Sequence, residues 1–247
     1  MYLEMLSGRL TLTPYETLHP RRVLDCGTGT GMNPLYRHVH PDTEVLGVDL
    51  VPIQPVRFEV DDLELEWLFP ENHFDFIHSR DLVTAIKDWP RYFAHMYKHL
   101  SSGGYVEISE HSLDTFRTPD STHPPNSCYT QWLTALTNSL TQLGAHPSLT
   151  LRDYSRLLRD AGFVDIEEYE FQVPVGTWPR DRGAKRLGGL FVENAKTGFE
   201  AYGKNLMLRG GGEEGEVERV IRECGEEMRR GRWHVYYLHW HIVARKP

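Results

Sequence analysis

Asp25-x-Gly27-x-Gly29-x-Gly31 follows one short apolar run, and Asp49 ends the next. Glycines let a backbone approach a ligand closely, and a helix after such a turn offers unpaired amides. A carboxylate ending the second strand is placed to accept both hydroxyls of a ribose. Farther on, Asp61-Asp62-Leu63 adds an acceptor for the amino group of an adenine. A nicotinamide dinucleotide loop shares much of this logic. Two features separate them. The third glycine comes two residues after the second, where the dinucleotide fingerprint puts it three after. Asp25, two residues before the first glycine, would repel a pyrophosphate but welcome the ammonium of a methionine moiety. The pattern therefore points to S-adenosylmethionine as cofactor. Asp25 also has a second reading, as an acid that holds the turn through its amides.

Methyl transfer from a sulfonium depends chiefly on positioning and exclusion of water, with a base only where the acceptor must lose a proton. His111 is the base candidate, because it stands just past a strand ending near Ser109, at the sheet edge where such folds bind ligands. A solvated loop histidine is the alternative. Glu110 is a second candidate and could equally pair with an arginine. Tyr129, Trp132, Trp178 and Tyr202 could line an apolar acceptor pocket or pack in a core. His239 and His241 alternate on one strand face, but without a third ligand in view no metal is assigned.

These residues need a scaffold. Arg22–Cys26, Val45–Asp49, Val56–Val60, Phe74–His78 and Tyr105–Ser109 read as strands. A helix opening near Asp88 and Pro90 carries Tyr92, Phe93, Met96, Tyr97 and Leu100 at helical spacing, and Gly103-Gly104 is expected to close it. Thr150 with Asp153 forms a capping-box pattern, and Gly162 ends that helix. Phe163–Val175 and Trp233–Arg245 supply the last two strands. Val217, Val220, Ile221, Cys224 and Met228 mark an amphipathic helix, with acid-first pairs Glu218–Arg222 and Glu226–Arg230. Strands alternating with helices imply an α/β, doubly wound, mostly parallel sheet of seven strands. We read residues 1–247 as a single domain, with a cofactor-binding core over 20–111 and helical cap insertions over 112–150 and 176–230.

Composition excludes other classes. The 247 residues carry a formal net charge of −8 without a basic cluster, which argues against nucleic acid as partner. Apolar runs are too short and too often broken by charge to span a membrane. Three cysteines, at 26, 128 and 224, have no CxxC spacing, which fits a reducing, cytoplasmic home with nuclear entry left open.

The chain resembles the fungal LaeA-like methyltransferases, a branch of the class I, Rossmann-like S-adenosylmethionine-dependent family associated with secondary metabolism. The likeness rests on Arg22-Val-Leu-Asp-Cys-Gly-Thr-Gly-Thr-Gly31, Val48-Asp-Leu-Val-Pro-Ile-Gln-Pro55, Val56-Arg-Phe-Glu-Val-Asp-Asp62 and Trp67. Phe74-Asp-Phe-Ile-His-Ser-Arg80, Asp88-Trp-Pro90, Gly103-Gly-Tyr-Val-Glu107 and Thr177-Trp-Pro179 complete it. The resemblance implies that Gly27, Gly29 and Gly31 line the methionine and ribose side of the cofactor. It puts Asp49 at the ribose, Asp62 with Leu63 toward adenine, and His78 and Ser79 beneath the sulfonium, with Leu50 and Asp61 counted among the cofactor-binding residues. Strand four lacks an Asn-Pro-Pro-Tyr-like motif and has Ser79-Arg80-Asp81 instead, which argues against methylation of nucleic-acid bases. The expected function is methylation of a small-molecule oxygen or nitrogen. A short segment before Arg22, and Met32-Asn33-Pro34 where similar chains carry a large apolar pair, keep two alternatives open. One is a regulator acting through protein partners. The other is a repurposed fold that catalyses a different reaction on a metabolite.

Overall fold

The computed structural model describes residues 1–14, 18–29, 41–50, 58–230 and 233–247. Gly31, Met32-Asn33-Pro34 and the run 51–57 lie outside the described residues. Seven strands form one sheet in the order β3-β2-β1-β4-β5-β7-β6. They are β1 (Arg22–Cys26), β2 (Glu44–Asp49), β3 (Phe58–Val60), β4 (Phe74–Arg80), β5 (Leu100–Arg117), β6 (Val164–Pro174) and β7 (Tyr236–Arg245). β1 to β5 are parallel, with Val23 level with Val45 on one side and with Phe76 on the other. β7 runs against them: Gly103 N donates to Lys246 O at 2.8 Å and Lys246 N to Gly104 O at 3.0 Å, so the end of β7 meets the start of β5.

The chain divides into two compact units. The sheet unit holds residues 8–110, 149–170 and 240–247. The central strands β1 and β4 and the first part of β5 are apolar on both faces, as parallel strands covered on both sides must be: Val23, Leu24, Phe76, Ile77, Val106 and Ile108 are fully buried. Each such side chain contributes roughly 1.5–3 kcal/mol relative to exposure. Helix α1 (Trp89–His99) starts on Asp88, whose carboxylate accepts from Arg91 N, with Pro90 in the first turn. Its buried face is Trp89, Tyr92, Phe93 and Met96. Helix α3 (Leu151–Asp160) has the expected reciprocal capping box between Thr150 and Asp153, and Gly162 follows it at φ +104.

The expected role of Gly103-Gly104 is corrected. α1 ends at His99 with Leu100 already extended, and the strand begins at once. The two glycines fall where the β4–β5 register shifts, with Gly103 at φ +80. A Cβ on Gly104 would meet the carbonyls of Asp75 and Ser101 at 2.9 Å. They make a bulge, not a helix stop. Nearby, the Lys246 ammonium donates to the carbonyls of Tyr97 and Leu100, and to Asn72 Oδ1, which satisfies the C-terminal end of α1.

The helical unit holds residues 1–7, 111–148 and 171–239. It contains α2 (Cys128–Gln142), α4 (Arg182–Gly198), α5 (Lys204–Arg209) and α6 (Glu214–Arg230), with a π-turn at Phe199–Gly203 joining α4 to α5. The apolar stripe Val217, Val220, Ile221, Cys224 and Met228 is buried as its spacing requires. Glu226 pairs with Arg230 at 3.3 Å, whereas Glu218 is taken by Lys204 at 2.5 Å, not by Arg222 as expected. Among the described residues no helix is long and apolar enough to cross a membrane.

Candidate functional site

The glycine loop closes against β2. Gly27 (φ +63) and Gly29 (φ +50) adopt left-handed backbone that disfavours a Cβ. Gly27 N and Thr28 N both donate to Val48 O, at 2.8 and 3.1 Å, and Gly29 N donates to Asp49 Oδ2 at 2.9 Å. The loop thereby positions the carboxylate of Asp49 at the end of β2. Asp61 N donates to Asp49 O at 3.2 Å, which brings the end of β3 alongside.

A cavity of about 360 Å³ opens at this point. Among the described residues it is lined by Gly27, Thr28, Gly29, Asp49, Leu50, Asp61, Asp62, Leu63, Glu64, Arg80, Asp81, Leu82, Ala85 and Ile86. Seven sequence candidates are brought together here: Gly27, Gly29, Asp49, Leu50, Asp61, Asp62 and Leu63. Glu64 and the run after β4 were missed. Glu64 Oε1 accepts from Lys87 N and Asp88 N, which ties the segment after β3 to the start of α1. A larger hollow of about 510 Å³ lies between α2 and α6 in the helical unit, but it is lined by none of the motif residues, so size does not identify the site.

Asp25, His78 and Ser79 lie outside the described lining of this cavity. Asp25 is buried; its Oδ2 accepts from Thr28 Oγ1 at 2.7 Å and its Oδ1 lies 2.9 Å from His78 Nδ1. Both oxygens are thus engaged, and Asp25 meets the loop through the Thr28 hydroxyl, not through the loop amides, which donate to Val48 O and Asp49 Oδ2. Ser79 Oγ accepts from the Tyr92 hydroxyl at 3.0 Å, and burial pushes the neighbouring Cys26 thiol upward.

Glu110 is fully buried. Its Oε1 accepts from Leu82 N at 2.8 Å and its Oε2 from Val83 N at 3.1 Å, so the partner is backbone and not an arginine. Burial raises its carboxyl well above the ordinary range, with the Asp81 charge adding to the rise and the two amide bonds opposing it. His111 belongs to the helical unit and is 8% exposed, so it is not a solvated loop histidine. Its ring lies 5.2 Å from Tyr237 and 6.2 Å from His239, and His239 Nε2 is 3.3 Å from the Tyr2 hydroxyl. His241 instead pairs with Glu107 Oε1 at 3.0 Å in the sheet unit. Glu107 Oε2 also accepts from the hydroxyls of Thr11 and Thr13 and from the backbone amides of Leu12 and Thr13. Burial alone would raise its carboxyl, yet His241 and Thr11 bring it down to about 2. Tyr129 stacks on Trp233, Trp132 packs on Phe199 and Trp178 stacks on His234, all within the helical unit.

The sheet order, the reversed β7, the glycine loop after β1 and the acid ending β2 together define the class I methyltransferase fold. A family model described as a methyltransferase domain matches residues 2–168. The methyltransferase pytC of Aspergillus terreus is 35% identical over 258 residues, covering 100% of this chain and 78% of that protein. The secondary metabolism regulator LAE1 of Cochliobolus heterostrophus is 35% identical over 197 residues, covering 76% of this chain and 64% of that protein. A Haemonchus contortus phosphoethanolamine N-methyltransferase 2, solved with phosphomonomethylethanolamine and S-adenosylhomocysteine, superposes with a TM-score of 0.56 at 19% identity. That match covers 99% of this chain and 52% of that one, and it speaks for the fold alone. The chain belongs to the methyltransferase-domain family, in the fungal branch that holds pytC and the LaeA-like regulators.

Proposed function

We propose that the chain binds S-adenosylmethionine in the cavity at the ends of β1 and β2 and methylates an oxygen, or a nitrogen, of a small molecule of secondary metabolism. The observation that carries this is Asp49, a carboxylate positioned by Gly29 N on a cavity wall that the left-handed Gly27 and Gly29 also line. The residues present fit the cofactor. Asp49 can accept the ribose hydroxyls and Asp61 or Asp62 an adenine amino group, while Leu50, Leu63, Leu82 and Ile86 offer apolar wall to the ring. Carboxylates also suit a ligand that carries a sulfonium and an ammonium. When bound, the cofactor supplies an electrophilic methyl group.

The chain's own contribution is to hold the ligand by these contacts, to exclude water, and to take up a proton where the acceptor must lose one. We assign that last role to His111 Nδ1 or Nε2 and not to Glu110, whose oxygens are both held by backbone amides. Segments 112–150 and 176–230 are read as the acceptor-selecting insertions. Calorimetric titration with S-adenosylmethionine and S-adenosylhomocysteine tests the cofactor, and a chain that binds neither sinks the proposal. Labelled methyl groups should then appear on a component of a small-molecule extract. The likeness to LAE1 favours a second reading, a regulator acting through a protein partner. Under it, partner capture survives Asp49→Ala and no small molecule is labelled.

A further inference from the structure

Three consecutive backbone N–H groups after β4 are taken up by two consecutive residues of β5. Asp81 N donates to Ser109 O at 3.0 Å, Leu82 N to Glu110 Oε1 at 2.8 Å and Val83 N to Glu110 Oε2 at 3.1 Å. Successive amides that converge around a left-handed residue make a concave seat for an anion, and Asp81 is at φ +57. A non-glycine residue holds that conformation only where its surroundings over-determine it. The turn then tightens on itself, with Ala85 N and Ile86 N both donating to Leu82 O at 2.8 and 3.0 Å. Leu82 reaches back to the glycine loop: its Cδ2 lies 2.5 Å from where a Cβ on Gly27 would stand.

A carboxylate with 0% exposure is costly unless it is fully bonded. An apolar residue in its place would take away the acceptors of the Leu82 and Val83 amides, so the carboxyl and the turn depend on each other. The consequence that distinguishes Glu110 is geometric, because the turn it seats supplies Asp81, Leu82, Ala85 and Ile86 to the cavity wall.

Resting on the cofactor site proposed above, we infer that Glu110 is a positioning residue. It seats the 81–86 turn so that Leu82 and Ile86 form the apolar wall against which the adenosyl group packs. It neither touches the cofactor nor takes a proton from the acceptor. The sequence neighbour His111 keeps the base role, and the two adjacent candidates divide into one that builds the pocket and one that acts on the acceptor.

Glu110→Gln keeps the size of the side chain but turns an NH₂ toward one of the two amide donors, so one bond is lost. S-adenosylhomocysteine affinity should fall about ten-fold where only about a tenth of the free variant holds the turn seated, because binding must then also restore the wall. Leu82→Ala should weaken binding as well, and Glu110→Gln in the Leu82→Ala background should cost little more, because both act through the same wall. Hydrogen exchange should quicken in the peptide spanning residues 81–86 and stay unchanged in β1 and β4. Equal affinity in Glu110→Gln and wild type overturns the inference, and so do strictly additive effects in the double variant. If Glu110→Gln does not fold, Leu82→Ala decides, and unaltered affinity there is equally fatal. A wild-type chain that does not bind S-adenosylhomocysteine refutes the cofactor site instead, and the exchange measurement then still tests the grip of Glu110 on the turn.

Discussion

Replacing Gly27 with alanine separates two costs that the structure sets at different sizes. Gly27 is at φ +63, where a Cβ presses on the following carbonyl, which costs roughly 1–2 kcal/mol. The added methyl would also stand 2.5 Å from Leu82 Cδ2 and 3.1 Å from its Cγ. Leu82 cannot simply swing clear with its backbone, because its amide is held by Glu110. Overpacking of this kind costs about 1–3 kcal/mol. The combined destabilisation is therefore about 2–5 kcal/mol, or a melting temperature lower by on the order of 10 °C for a chain of this size. Gly29 provides the internal control. It is also left-handed, at φ +50, but the nearest atom to its added Cβ is Gly27 O at 3.9 Å. Gly29→Ala should thus carry the conformational cost alone, about 1–2 kcal/mol. Urea denaturation of both variants reads the difference directly, and Gly27→Ala should cost less in a Leu82→Ala background by roughly the overpacking component. If Gly27→Ala and Gly29→Ala prove equally stable, Leu82 is not packed on the loop and the reasoning fails.

Asp49→Ala should weaken S-adenosylhomocysteine binding about ten-fold or more while leaving the unfolding transition nearly in place, as calorimetry and denaturation together would show. Glu107, held at about 2 against an ordinary 4.5, contributes stability that is fully present above pH 4.5 and lost as pH falls toward 2. The loss is about 3 kcal/mol, and urea midpoints taken across that window should show a slope that Glu107→Gln flattens. His111→Ala should reduce methyl transfer about a hundred-fold with cofactor affinity unchanged; turnover within a few-fold of wild type would remove it as the base.

Elements announced by local chemistry are legible in the sequence. The Asp88 cap, the Thr150–Asp153 capping box and the apolar strands β1, β2 and β4 all depend on neighbours within a few residues. Helix α4 was not legible, although Asp181 caps it by accepting from Ala184 N. Gly183, Gly188 and Gly189 argue against a helix by propensity. Gly188 is there because a Cβ would stand 2.0 Å from Gly176 O, a close approach that arises only on folding. β5 was read to Ser109 and continues to Arg117, through polar residues that do not mark a buried strand. At the site, the glycines and the acids ending β2 and β3 could be read as one ligand-binding set because the fold places strand ends together. Glu110 could not be assigned, since its partners, Leu82 and Val83, lie 28 and 27 residues away and are backbone amides with no sequence signature.

The position of β7 bears on how the chain is made. In the sheet it lies between β5 and β6, yet it comes after both in sequence. While a ribosome is still producing the chain, β5 therefore has an open hydrogen-bonding edge until residues 236–246 emerge. Throughout that interval the Tyr97 and Leu100 carbonyls lack the Lys246 ammonium that they accept from in the finished fold. An unpaired edge backed by apolar residues is a template for association with other nascent chains. Yield on heterologous expression should accordingly respond to the rate of synthesis and to chaperones that shield strand edges, and deletions within residues 236–246 should be far more damaging than their number suggests.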